Sequence, residues 1–126
     1  MLILRSSPPS PFGRKVRIAA ALAGLSDRIT VENADTMNPN EALRTQNPLG
    51  KIPTLVLENG ETLYDSRLIV EFFDALAGGG RLIPLGGGRF EALRLQALAD
   101  GVMDAGVLRM YETRWRSEER REPKWL

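Results

Sequence analysis

The apolar positions of this chain change period along its length, and the changes mark its elements. Leu2-Ile3-Leu4 is a short continuous apolar run, the pattern of a buried strand over residues 1–5. Pro8 and Pro9 have no N–H to donate, so Ser6 to Pro9 cannot extend it. Phe12, Val16, Ala19 and Ala23 then recur at helical spacing, with Ser10 as a good N-cap, Pro11 at the first helical position and Gly24 as the stop. Arg28 to Glu32 alternates like a second strand. Asn33 to Gln46 is polar, with room for one helical turn near Glu41–Arg44. Asn47-Pro48-Leu49-Gly50 is a turn signal, and Thr54 to Glu58 reads as a third strand. Asn59-Gly60 is the strongest short hairpin signal, so Glu61 to Tyr64 reads as an antiparallel fourth strand. Asp65-Ser66 caps a helix whose apolar residues are Leu68, Ile69, Phe72, Phe73 and Leu76.

Residues 78–88 hold six of the twelve glycines plus Pro84, the one sharp break in composition. This predicts a domain over residues 1–77, a linker over 78–88, and a second unit over 89–126. The second unit opens with a long helical pattern through Phe90, Leu93, Ala97, Leu98, Val102, Met103, Val107 and Met110, too broadly apolar for a lone helix to bury. The order is βαβαββα. It predicts an α/β, thioredoxin-like domain with a mixed four-stranded sheet, followed by the first helix of an all-α domain.

Composition narrows the chemistry. The chain is 43% apolar and 26% charged, which suits a globular core. It has no cysteine and no histidine. That excludes disulfides, a protein thiol nucleophile, an imidazole base and a Cys- or His-ligated metal. Seventeen basic against sixteen acidic residues give no footprint for nucleic acid. No run approaches the roughly 18 apolar residues of a membrane span. The lack of cysteine is compatible with a reducing cytoplasm.

Three segments carry the candidate chemistry: Ser6-Ser7-Pro8-Pro9-Ser10-Pro11-Phe12, Asn47-Pro48-Leu49-Gly50-Lys51-Ile52-Pro53-Thr54-Leu55, and Glu58-Asn59-Gly60-Glu61-Thr62-Leu63-Tyr64-Asp65-Ser66. In order and spacing they resemble the N-terminal domain of soluble glutathione S-transferases, of the serine-type bacterial or theta-like kind. Asp100-Gly101-Val102-Met103-Asp104 is similar to the family's D-G-x-x-D pattern on the first helix of its second domain.

The resemblance implies glutathione as co-substrate, with no metal. Glutathione is a tripeptide with two carboxylates, an ammonium and a thiol, and the residues suit it. By resemblance the Ile52-Pro53 bond is cis, turning the Ile52 main chain toward the cysteinyl part of glutathione as in strand addition. Read alone, Pro53 is an ordinary trans proline opening an edge strand. Ser66 at a helix start offers free N–H groups and a positive dipole end for the γ-glutamyl carboxylate, with Asp65 for the adjacent ammonium. Both residues are also plain helix caps. Lys51 is placed to meet the glycyl carboxylate or to stand in solvent.

The resemblance further implies a hydroxyl facing the glutathione sulfur. Ser10 is the candidate catalytic residue, with Ser6 or Ser7 as alternatives because Pro8-Pro9 blurs the alignment. A hydrogen bond to the sulfur favours the thiolate, the nucleophilic form. Asp104 corresponds to a carboxylate that reaches the ammonium of the partner subunit's glutathione in dimeric members; read alone, it is an exposed helical acid. Arg5, Arg14, Lys15 and Arg17 read as a solvated basic face that attracts anions.

The expected function is therefore glutathione transfer to a small hydrophobic electrophile by a cytoplasmic homodimer that uses neither nucleic acid nor membrane. The competing expectation is a non-enzymatic binding or regulatory protein, or an interaction fragment docking through the apolar helix. Only the first helix of the family's second domain is recognisable, which predicts a chain of incomplete length.

Overall fold

The computed structural model describes residues 1–125. Its first compact unit runs from Met1 to Arg89 and the second starts at Phe90. In the first, β1 (Leu2–Ser6), β2 (Ile29–Asn33), β3 (Thr54–Val56) and β4 (Thr62–Leu63) form one sheet in the order β2-β1-β3-β4. β1 and β2 run parallel, while β3 is antiparallel to both β1 and β4. The helices are α1 (Pro11–Leu22), α2 (Leu43–Gln46) and α3 (Ser66–Leu76). The order βαβαββα and the mixed sheet are those expected from the sequence. The hairpin strands are shorter than their pattern suggested, and the short helix starts at Leu43 rather than Glu41.

β1 explains why its run is continuously apolar rather than alternating. Its side chains point to opposite faces at successive positions. Leu4 lines one face together with Ala20 of α1, and Ser6 on the same face reaches Gly13. Arg5 on the other face bonds to Glu41 and to Gln46 of α2. The strand is thus covered on both sides, as a central strand with a crossover helix must be. Leu4, Val16, Leu55, Ile69 and Phe73 are fully buried and make the core where α1, α3 and the sheet meet. Each such side chain contributes about 1.5–3 kcal/mol through burial.

Arg5 corrects its sequence reading as part of a solvated basic face. It is 6% exposed. One nitrogen donates to Gln46 Oε1 at 3.0 Å, and the other to Glu41 Oε1 at 2.7 Å and to the Asn33 carbonyl at 3.0 Å. The Asp35 N–H and the Arg5 guanidinium hold the Glu41 carboxyl down from 4.5 to about 2. Arg5 therefore ties the polar 33–46 segment to the sheet.

The glycine-rich stretch is also anchored. Asp74 near the end of α3 is buried and accepts N–H bonds from Arg81, Leu82 and Ile83 at 2.9, 2.8 and 3.1 Å. Burial pushes its carboxyl up, and these backbone donors outweigh burial and hold it below the usual carboxylate range. Gly78, Gly79 and Gly80 all take positive φ, which lets the chain reverse tightly enough for the N–H groups to converge.

In the second unit, α4 spans Arg89–Trp115 from the last residue of the first, followed by a 3-10 turn at Glu118–Arg120. Phe90, Leu95, Leu98, Val102 and Leu108 are exposed along it. No helix among the described residues is long and apolar enough to cross a membrane.

Candidate functional site

Strand direction brings the three candidate segments to one end of the sheet. Arg5 near the end of β1 pairs with Thr54 at the start of β3. β4 runs opposite to β3, with Leu63 beside Leu55, so it delivers Tyr64, Asp65 and Ser66 to the same end. The residues after β1, before β3 and after β4 thus share that end, although Ser10 and Ser66 lie far apart in sequence.

Ser10 caps α1. Its backbone is extended (φ −68°, ψ 120°) and its Oγ accepts the Gly13 N–H at 3.0 Å. Its own N–H donates to the Ser7 carbonyl at 3.1 Å, closing a turn over Pro8-Pro9. The side chain is half-buried, and with one lone pair engaged its hydroxyl proton can still be donated outward. Ser6 differs. It is 1% exposed, and its Oγ lies beneath Gly13 without a hydrogen-bond partner among the described residues.

The second segment is held by Asn47, which is 1% exposed. Its Nδ2 donates to the Lys51 carbonyl at 3.1 Å and to Thr54 Oγ1 at 3.2 Å, while its Oδ1 accepts the Leu49 N–H at 2.9 Å. Thr54 Oγ1 donates to the same Lys51 carbonyl at 2.9 Å. Gly50 completes the turn at φ +63°. The Ile52-Pro53 peptide bond is cis. Ile52 precedes Thr54, the first paired residue of β3, so its N–H and C=O lie outside the ladder with β1. The Lys51 side chain is exposed.

The third segment is the N-terminus of α3. Asp65 is the cap, its Oδ1 accepting the Arg67 N–H at 3.0 Å. The Arg67 side chain also bonds to the Asp65 carboxylate, at 2.9 Å, and holds this carboxyl below its usual range. The Tyr64-Asp65 bond is cis as well. Ser66 is 2% exposed, and its Oγ accepts a bond of 3.1 Å from Lys15 Nζ on α1.

That contact is one the sequence pattern does not disclose. Lys15 reads as part of a solvated face, yet its ammonium sits on the hydroxyl at the start of α3. Its one signal is position, because Lys15 directly precedes the buried Val16 and lies four residues before the buried Ala19, on the flank of the stripe. Asp104 lies on α4 in the second unit, with an exposed side chain. Among the described residues no cluster of three or more His, Cys, Asp or Glu side chains could hold a metal.

A donor hydroxyl, an unladdered main-chain edge and a positively polarised helix start thus stand at one end of the sheet. The structure superposes with a TM-score of 0.92 on a glutathione transferase family member from Pseudomonas fluorescens Pf-5 with bound glutathione, at 42% identity over 100% of this chain and 63% of that one. A glutathione S-transferase from Methylobacillus flagellatus KT with glutathione bound matches at 41% identity and a TM-score of 0.83, over 99% of this chain and 61% of that one. The GST-like protein YibF of Escherichia coli K12 is 36% identical over 112 residues, 86% of this chain and 54% of that protein. The chain thus spans about half the length of that curated relative. The family model for the N-terminal domain of glutathione S-transferases matches residues 9–76, more than half of the chain. The chain belongs to the glutathione S-transferase family.

Proposed function

We propose that the protein binds glutathione along this end of the sheet and activates its thiol for attack on small hydrophobic electrophiles. The γ-glutamyl carboxylate takes the N-terminus of α3 through Ser66, and the adjacent ammonium takes Asp65. The cysteinyl main chain pairs with Ile52 before the cis Pro53, and the glycyl carboxylate lies toward Lys51. The Ser10 hydroxyl then donates to the sulfur. Loss of the thiol proton to solvent leaves a thiolate whose lone pair forms the new C–S bond. The leaving group departs with its bonding pair, or, at an activated double bond, the π pair shifts to the neighbouring atom, which takes a proton from solvent.

The observation that carries the reading is the bonding state of Ser10. The Gly13 N–H occupies one lone pair of its Oγ and fixes the side chain, so the proton is free to point at a ligand. Relatives with glutathione bound support the choice of ligand. In a homodimer the exposed Asp104 reaches the ammonium of the partner subunit's glutathione, and a reducing cytoplasm supplies glutathione as the thiol.

Titration of the bound thiol by thiolate absorbance tests this. In Ser10→Ala the thiol pKa rises by about 1–2 units, the worth of one hydrogen bond to a charged group. Ser10→Gly disturbs the cap by only a few tenths of a kcal/mol and shows the same rise. An unchanged thiol pKa in both variants overturns the role of Ser10. Absence of glutathione binding by the wild-type protein overturns the whole reading.

A further inference from the structure

We propose that the free edge of β2, with the groove beside it, is a docking site for an extended acidic segment of a partner protein, which joins the sheet as an added strand. This surface is separate from the residues assigned above to glutathione. Among the described residues β2 pairs only with β1, at one end of the order β2-β1-β3-β4, so its outer N–H and C=O groups have no ladder. Thr30 to Asn33 are exposed. The strand reads Ile-Thr-Val-Glu-Asn, with neither proline nor lysine to guard the edge against another strand. Alongside it, between β2 and α1, lies a groove of about 610 Å³. Arg14, Arg17, Ile18 and Ala21 line it from α1, at the i, i+3, i+4, i+7 spacing of one helix face. Ile29 and Val31 line it from β2, two positions apart and so on one face of the sheet. Ile18 is 54% exposed and Val31 45%, so the groove opens apolar surface to water.

Charge decides what covers it. No acidic side chain lines the groove. Neither Arg14 nor Arg17 has a hydrogen bond or an ion pair among the described residues. As the crossover helix between two parallel strands, α1 runs back against them, so Arg14 stands toward Asn33 and Ala21 toward Ile29. The groove is thus basic at one end and apolar at the other. From Arg14 to Ala21 is about 10 Å along the helix, the length of about three strand residues. A strand laid antiparallel to β2 fits this with an acidic side chain toward the arginines and an apolar one two positions later, both on the α1 side of the sheet. A second copy of the chain is a poor match. Antiparallel pairing of two β2 edges sets both pairs of arginines on the same side of one sheet, like charge toward like.

Fluorescence anisotropy of labelled peptides with the whole protein tests this. The probe is Thr-Glu-Thr-Asp-Thr-Val-Thr, blocked at both ends, which places Glu, Asp and Val on one face of a strand. It binds saturably, and putting Gln and Asn in place of its Glu and Asp weakens binding by about tenfold or more, the worth of a charge-assisted hydrogen bond. Arg17→Gln weakens the probe by about tenfold and leaves the neutral peptide within about twofold. Ile18→Glu, a change at an exposed position, weakens the probe by about tenfold or more through repulsion. Backbone N-methylation of alternate probe residues abolishes binding in one of the two possible sets and is tolerated in the other, because only one set of N–H groups faces β2. Saturating glutathione leaves the probe affinity within about twofold. A probe that does not bind, a neutral peptide that binds equally well, or equal effects of the two N-methylated sets overturns the docking site. Displacement of the probe by glutathione overturns it too, by placing the peptide in the site already described. Self-association in sedimentation that Ile18→Glu abolishes gives the edge to a second copy and refutes the partner segment.

Discussion

Gly13 and Ser6 set the position of the catalytic candidate, and a substitution pair measures how tightly. Gly13 lies in the first turn of α1 with ordinary helical backbone, so alanine is conformationally acceptable there. On helix propensity alone Gly13→Ala would stabilise the chain by about 1 kcal/mol. The space is nevertheless taken. A methyl group on Gly13 would overlap Ser6 Oγ and would lie 3.3 Å from both Cβ and Oγ of Ser10. Ser6 is fully buried at the end of a central strand and has little room to turn away. Overpacking of this kind costs about 1–3 kcal/mol. A shift of Ser10 that weakens its cap bond to the Gly13 N–H adds about 1 kcal/mol more. Gly13→Ala is therefore expected to destabilise the protein by about 1–3 kcal/mol net. Ser6→Ala removes both the overlapping oxygen and a buried hydroxyl that has no partner, so it is neutral or stabilising by about 1 kcal/mol. The double variant then recovers most of the loss, with a coupling of about 1–3 kcal/mol. Urea unfolding of the four proteins, followed by circular dichroism, reads the cycle. A Gly13→Ala protein as stable as wild type, or a double variant no better than the single one, refutes the packing argument.

Two further outcomes follow from the anchored segments. Asp74→Asn puts an amide donor against one of three converging N–H groups and costs about 1–3 kcal/mol; hydrogen exchange at Arg81, Leu82 and Ile83 accelerates with it, and unchanged exchange contradicts the anchoring role. The Glu41 carboxyl is lowered from 4.5 to about 2, so its contribution to stability is fully present above about pH 4.5 and is lost as pH falls toward 2. Stability measured against pH in that window falls less steeply in Glu41→Gln than in wild type, and identical slopes remove the Arg5–Glu41 pair as its cause.

What the sequence discloses here, and what it conceals, divides along the range of the interactions. The cap at Ser10-Pro11, the Asn59-Gly60 hairpin and the helix start at Asp65-Ser66 depend on residues no more than a few positions apart, and each has a local chemical signature. The strand order follows from those local elements, because a parallel crossover and a hairpin leave few ways to build a four-stranded sheet. Arg5 and Lys15 have no such signature. Arg5 finds Glu41 across 36 positions and Lys15 finds Ser66 across 51, so only the folded sheet makes them neighbours. A charged residue at the edge of an apolar stripe reads as solvated until the element that covers that edge is known. The consequence for mechanism lies in α1. Its N-cap carries the hydroxyl proposed to face the sulfur, and its second turn carries the ammonium resting on the Ser66 hydroxyl. One rigid helix therefore sets the distance between the reactive end and the anchoring end of the ligand. A change that tilts α1, such as a methyl group at Gly13, is expected to degrade thiol activation and glutathione affinity together.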